Sequence, residues 1–257
     1  MEAIERISIE VTNRCDKACW FCYNHSHAEA DTRWTPDELV EFVRDCSVNG
    51  VKAVSFGGGE PLQYEGIFEV ISRLQGCLFR SMTTNGLLLD SRMLDRMVAA
   101  GVDKVHVSIH FPGNKREVNR IVEQVGALSD RGIKSGVNLL VQRSKVDSAA
   151  LSAKMIRDAG IGNDRIVYLP MRSSDTPTPK QIAEVAGNEP FQSMTCLSRC
   201  GKSPRFCSIS WDKQVGWCSY TESRNELSEL SYQGLSKAVD GLGLRFCGDV
   251  ETMVQLA

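Results

Sequence analysis

Two periods of apolar residues run through the first two thirds of the chain and predict strands alternating with helices. In RISIEV, Ile7, Ile9 and Val11 fall on every second position, as in a strand with one buried face. Thr35, Pro36 and Glu38 then supply an N-cap, a first-turn proline and the partner of a capping box. Leu39, Phe42, Val43 and Cys46 are the apolar stripe of the helix they open. The alternation repeats. Further strands are predicted at 51–56 (VKAVSF), 77–84, 103–110, 134–141 and 165–169. Between them, helical spacing marks Ile67, Val70, Ile71 and Leu74, then Leu94, Met97 and Val98, then Val118, Ile121, Val122, Val125 and Leu128, and a last helix over 151–159. His106 alternates with Val105 and Val107 and is read as a packed, outward-facing side chain.

Turn residues such as Asn49-Gly50, Gly101, Gly132 and Gly160 separate the units. Consecutive βα units of this kind predict a parallel sheet with helices packed outside it. Periodicity alone fits either an open doubly wound sheet or a partial barrel. In both, the loops at the carboxyl ends of the strands form the functional face. The rhythm stops after Pro170, which divides the chain into an α/β domain at 1–172, a turn-rich connector at 173–195 and a cysteine-rich region at 196–257. Within the last, CSISWDKQVGWC reads as a small hairpin and LSYQGLSKAVDGL as a helix.

The charge balance adds little: 30 Lys and Arg against 32 Asp and Glu give no broad electrostatic footprint for nucleic acid or an anionic membrane. The first residues lack the basic and apolar regions of a signal peptide, and no stretch approaches a membrane span, so the expected compartment is the cytoplasm. No GxGxxG or P-loop points to a nicotinamide or nucleoside triphosphate site.

Cysteine changes the picture. Ten cysteines are many for a reducing compartment, and they cluster at 15–22 and 196–247. Cys46 and Cys77 stand apart and read as small buried hydrophobes. The four tryptophans, Trp20, Trp34, Trp211 and Trp217, read as packing residues. Cys15, Cys19 and Cys22 share one loop directly after the first strand. Three thiolates can hold three corners of an iron–sulfur cube and leave one iron open; with His25 or His27 they could instead complete a tetrahedral zinc site in a binding or scaffold protein.

The loop CDKACWFC, spaced CxxxCxxC with Phe21 before the last cysteine, resembles the cluster loop of the radical S-adenosylmethionine (SAM) enzymes. Gly58-Gly59-Glu60-Pro61, at the end of the second strand, is similar to the SAM-binding GGE(P) segment of that family. The resemblance implies a partial (β/α)6 TIM-like barrel, a [4Fe–4S] cluster on Cys15, Cys19 and Cys22, and SAM chelating the open iron. Its reductive cleavage would yield a 5′-deoxyadenosyl radical that takes a hydrogen atom from a substrate. The resemblance further implies SAM contacts from Phe21, Gly58, Gly59, Glu60, Thr84, Asn85, Ser108, His110, Asn138, Arg143 and Leu169. Glu60 would accept from the SAM ammonium or orient its loop. Low-potential flavodoxin or ferredoxin would be the electron donor.

The C-terminal cysteines are similar to the twitch or SPASM appendages that hold an auxiliary [4Fe–4S] cluster, with ligands drawn from Cys200, Cys218 and Cys247 plus Cys196 or Cys207. Two departures stand out: Asp212-Lys213 replaces the hairpin glycine, and the usual closing CxxC is a lone Cys247. The implied reaction is oxidation or rearrangement of a small molecule or peptide in a specialised biosynthetic pathway. Small aminocyclitol dehydrogenases and peptide maturases are the types most resembled, although the maturases often carry a leader-binding domain for which this chain has no room.

Overall fold

The computed structural model describes residues 4–191, 197, 200–203, 205–245 and 247–248. The chain forms two compact units, one of residues 1–105 with 202–245 and the other of 106–201 with 246–257.

In the first unit, β1 (Arg6–Thr12), β2 (Ala53–Gly58) and β3 (Phe79–Thr84) are parallel neighbours. Helices α1 (Pro36–Val48) and α2 (Ile67–Arg73) connect them, and α3 (Ser91–Ala100) follows β3. The side chains of Ile7, Ile9, Val11, Val54 and Phe56 are essentially fully buried, as are Leu39, Phe42 and Val43 of α1. The predicted capping box is present: the Glu38 amide donates to Thr35 Oγ1 (3.2 Å) and the Thr35 amide to Glu38 Oε2 (2.9 Å).

The predicted hairpin is β7 (Phe206–Ile209) and β8 (Gln214–Gly216), antiparallel to each other. Lys213 turns it in the left-handed region (φ 66°), the conformation glycine would otherwise supply. Its ammonium is held 2.8 Å from Glu38 Oε1 and lies over the Trp34 ring. The hairpin is not isolated: β7 pairs in parallel with β1, with Ile7 opposite Cys207 and Ile9 opposite Ile209. The strand order of this unit is β3-β2-β1-β7-β8-β9, where β9 is Asn225–Glu226. The predicted C-terminal helix is α7 (Tyr232–Val239).

Strand β4 (Lys104–Ile109) enters the second unit, where β5 (Lys134–Val141) and β6 (Ile166–Pro170) pair in parallel. Helices α4 (Lys115–Asp130), α5 (Val146–Asp158) and α6 (Pro179–Val185) accompany them, the last within the stretch expected to be a connector. Asn138 pairs with Val167, and the next residue, Tyr168, is hydrogen-bonded by Arg157 of α5. Tyr168 therefore faces the helices, and Asn138 faces away from them.

This geometry corrects the reading of His106. Its Nδ1 lies 2.9 Å from Asn138 Oδ1, and a Cβ on Gly136 would sit 2.7 Å from its Nε2. The ring thus occupies the inner face with Asn138, above a position that only glycine can fill. Three smaller expectations also fail. Cys77, Val98 and Trp20 are exposed, Trp20 to 72%, because each lies on the solvent side of its turn, helix or loop.

Candidate active site

The three-cysteine loop leaves the carboxyl end of β1 and is closed at its base by the Cys15 amide, which donates to the His27 carbonyl (3.0 Å). Inside it, the Cys22 amide donates to the Cys19 carbonyl and the His25 amide to the Cys22 carbonyl, while Ala18 and His25 take left-handed φ. Cys15 is buried; Cys19 and Cys22 are half-buried. The alternative zinc ligands His25 and His27 are exposed, and among the described residues no three His, Cys, Asp or Glu side chains converge on a point where one ion could bind. A cube makes a different demand, since each thiolate bonds its own iron.

The Gly58–Glu60 segment is clamped to the start of that loop. The Gly59 amide donates to the Thr12 carbonyl and the Glu60 amide to the Arg14 carbonyl, both at 2.7 Å. A Cβ on Gly58, which has φ +117°, would lie 2.4 Å from the Thr12 carbonyl oxygen. One on Gly59 would lie 2.2 Å from that of Arg14. Both positions must be glycine because backbone touches backbone.

Glu60 joins three segments. Its Oε1 accepts from the Leu62 amide (3.1 Å) and the Thr84 hydroxyl (2.7 Å), and its Oε2 from the Asn85 amide (2.8 Å). Burial raises its pKa, and those hydrogen bonds, the Asn85 amide first, oppose the rise. Asn85 then reaches the cysteine loop, its Nδ2 donating to Cys15 Sγ at 3.5 Å. Burial raises the Cys15 pKa, while the Lys17 amide and Asn85 favour the thiolate that metal ligation requires. These residues fit a cluster: a buried thiol with donors aimed at its sulfur, and two half-buried thiols beside it. Phe21 is half-buried and stacks edge-on against Trp20.

In the second unit, Ser108 is buried and Asn138 is engaged by His106. The His110 amide donates to Glu117 Oε1 (2.7 Å), a buried carboxylate that fixes the end of β4 and was not foreseen. Arg143 donates to the Ser174 carbonyl (3.3 Å), and Leu169 is half-buried opposite Leu140.

The C-terminal cysteines are divided between the two units. Cys207 is fully buried in β7, opposite Ile7 of β1 and beside Cys46 of α1, and burial pushes its thiol up to about 12. Cys218 is half-buried in the first unit, its sulfur accepting from the Tyr220 amide, and Tyr220 packs edge-on against Tyr23 of the cluster loop (4.7 Å). In the second unit Cys200 is exposed, and the Cys247 carbonyl accepts from the Ser173 amide. Cys196 lies outside the described residues.

Glu10 was also missed. It occupies the inner face of β1, 2% exposed, and shares a hydrogen bond with Tyr23. Burial pushes its carboxyl up to about 7, against the opposing charge of Arg224. The alternation of Ile7, Ile9 and Val11 contained the signal, since it places Ser8, Glu10 and Thr12 on the other face.

A parallel α/β fold with a three-cysteine loop after its first strand, braced by a glycine-glycine-glutamate segment on its second, defines a class of cluster-bearing enzymes. Residues 9–176 match the Radical SAM superfamily model, and the chain belongs to that superfamily. Its cofactors are a [4Fe–4S] cluster and SAM. The chain is 26% identical over 183 residues to a probable GTP 3′,8-cyclase of Methanocaldococcus jannaschii, covering 66% of this chain and 60% of that protein. It is 29% identical over 180 residues to the GTP 3′,8-cyclase of Aquifex aeolicus, covering 63% and 56%. It therefore spans less than two thirds of these relatives.

Among solved structures, Streptococcus suis SuiB bound to its precursor peptide SuiA aligns with TM-score 0.69 at 13% identity, covering 93% of this chain and 66% of that one. Native anSMEcpe with bound AdoMet aligns with TM-score 0.66 at 14% identity, covering 91% and 80%. Both likenesses concern the fold, the partial TIM-like barrel. No helix among the described residues is long and apolar enough to cross a membrane.

Proposed function

We propose that this radical SAM enzyme abstracts a hydrogen atom from a small-molecule or peptide substrate, leading to its oxidation or rearrangement in a biosynthetic pathway. The observation that carries the reading is the Glu60 junction, which ties the Gly58–Glu60 segment and Thr84-Asn85 together and, through Asn85, reaches Cys15. When bound, the cluster and SAM supply an electron and a carbon radical able to remove an unactivated hydrogen atom. The chain's own task is positional. Cys15, Cys19 and Cys22 would hold the cluster, Gly58 and Gly59 let their segment lie against the backbone of the cluster loop, where the methionine end of SAM would bind, and Glu60 fixes that segment.

Phe21, Thr84, Asn85, Ser108, His110, Asn138, Arg143 and Leu169 complete the proposed SAM contacts. A cytoplasmic flavodoxin or ferredoxin is the proposed electron donor. The division at 172 and 195, and an auxiliary cluster drawing on Cys200, Cys218 and Cys247 with Cys196 or Cys207, belong to the same proposal.

The test is anaerobic reconstitution with iron and sulfide, followed by dithionite and SAM. Brown protein that forms 5′-deoxyadenosine is expected, with formation abolished by Cys15→Ala, Cys19→Ala or Cys22→Ala. Normal formation in any of the three refutes the ligand assignment. Deuterium transfer from labelled candidates into 5′-deoxyadenosine would identify the substrate and the carbon attacked.

A further inference from the structure

The strands of the second unit have one sealed face and one polar face. Val107 and Ile109 of β4 and Val137, Leu139 and Val141 of β5 are fully buried, and Leu139 pairs with Tyr168, which faces the helices. Alternate residues point the other way, which puts His106 and Ser108 with Gly136 and Asn138 on the inner face. There the side chains are polar and access is partial: His106 is half-buried and Asn138 is 8% exposed.

His106 and Asn138 meet through Nδ1 and Oδ1, 2.9 Å apart. An amide oxygen only accepts, so Nδ1 carries the hydrogen and donates it. The ring is seated to do so. It lies over Gly136, where a Cβ would collide with it and with the Arg165 carbonyl, and the Arg165 guanidinium is itself held by the Ser135 carbonyl at 2.8 Å. The other end of the amide, Asn138 Nδ2, donates to nothing among the described residues. A side-chain amide can offer a ligand either an acceptor or a donor, and a hydrogen bond at one end decides which. With Oδ1 occupied, Asn138 has only N–H left to offer. A pair that merely satisfied itself would have neither a spare donor nor access.

We propose that His106 is a positioning residue for the cofactor: by holding Asn138 Oδ1 it commits the Nδ2 N–H bonds to an acceptor in the adenosine half of SAM. The inference rests on the radical SAM reading, in which Asn138 contacts SAM and the Gly58–Glu60 segment takes the methionine end. Adenosine is the part that remains, and its ring nitrogens N3 and N7 are acceptors. An amide held the other way round would present an oxygen to them and repel them.

Two measurements on the cluster-reconstituted protein test it. Long-range 1H–15N correlation of 15N-labelled histidines at pH 8, with His106 assigned by its loss in His106→Asn, shows where the ring proton sits. A proton on Nδ1, alone or together with one on Nε2, is expected. A ring protonated at Nε2 alone reverses the hydrogen bond and overturns the proposal. Equilibrium dialysis without reductant then gives the SAM affinity. His106→Leu should weaken it about fivefold, and His106→Asn, whose amide returns a donor near the place of Nδ1, should recover most of the loss. In an Asn138→Ala background, His106→Leu should cost nothing further, because its effect runs through Asn138. Unchanged affinity in His106→Leu, an equal loss in His106→Asn, or a full additional loss in the double variant overturns the proposal. Should His106→Leu not fold, the ring-proton measurement on the parent protein decides. A parent protein that binds no SAM defeats the radical SAM reading and this inference together; normal SAM binding by His106→Leu defeats the inference alone.

Discussion

Glu60 accepts three hydrogen bonds, two of them from backbone amides, so only a carboxylate satisfies every partner. In Glu60→Gln the new amide group must face one of these donors. The expected outcome is a loss of about 1–3 kcal/mol in urea unfolding, with weaker SAM binding by dialysis. Glu10 poses the opposite case. Its folded pKa of about 7 lies above the ordinary 4.5, so the folded state binds the extra proton between those values. Its contribution to stability is therefore fullest below pH 4.5 and is lost as pH rises towards and beyond 7. Glu10→Gln should be more stable than the parent at pH 8, by up to ~3 kcal/mol, and the gain should shrink at pH 5. Paired denaturant titrations at the two pH values check the sign. The three cysteines and Glu60 were legible because their spacing is local. Glu10 and His106 were not, because a strand's alternation names two faces without saying which one lies towards the helices.

Among the elements, those with strong local signals formed where the pattern placed them. Thr35 and Glu38 close their box, and β1 to β6 fall on the predicted apolar runs. The hairpin turn was legible as a turn, yet its missing glycine had no evident remedy in sequence; Lys213 adopts the left-handed conformation, and its ammonium is anchored on Glu38, 175 residues away. Such partners cannot be read from neighbours. Backbone contact between elements is equally silent, which is why Gly59 looks like any turn glycine until the Arg14 carbonyl is seen beneath it. Gly59→Ala should force the Gly58–Glu60 segment off the cluster loop. Loss of iron retention after gel filtration, with far-ultraviolet circular dichroism kept, is the expected result; full retention would contradict the clamp.

For the molecule, the feature least visible in sequence is the parallel pairing of β7 with β1, reinforced by the ion pair of Arg205 with Glu5, 200 residues apart. The segment expected as an appendage contributes a neighbour to the first strand. A chain cut after residue 172 retains every element of the predicted α/β domain yet leaves one edge of β1 open, with Ile7 and Ile9 flanking it. Unpaired edges with apolar side chains associate with one another. The truncated chain should run as aggregate in size-exclusion chromatography, whereas a chain ending at 245 should not. On the ribosome, β1 emerges well before its neighbour β7, whose Phe206 is made 200 residues after its partner Arg6 (206 − 6). Throughout that interval the nascent chain exposes a sticky margin beside the cysteines that must later receive iron, which makes orderly synthesis itself a condition for assembling the metal centre.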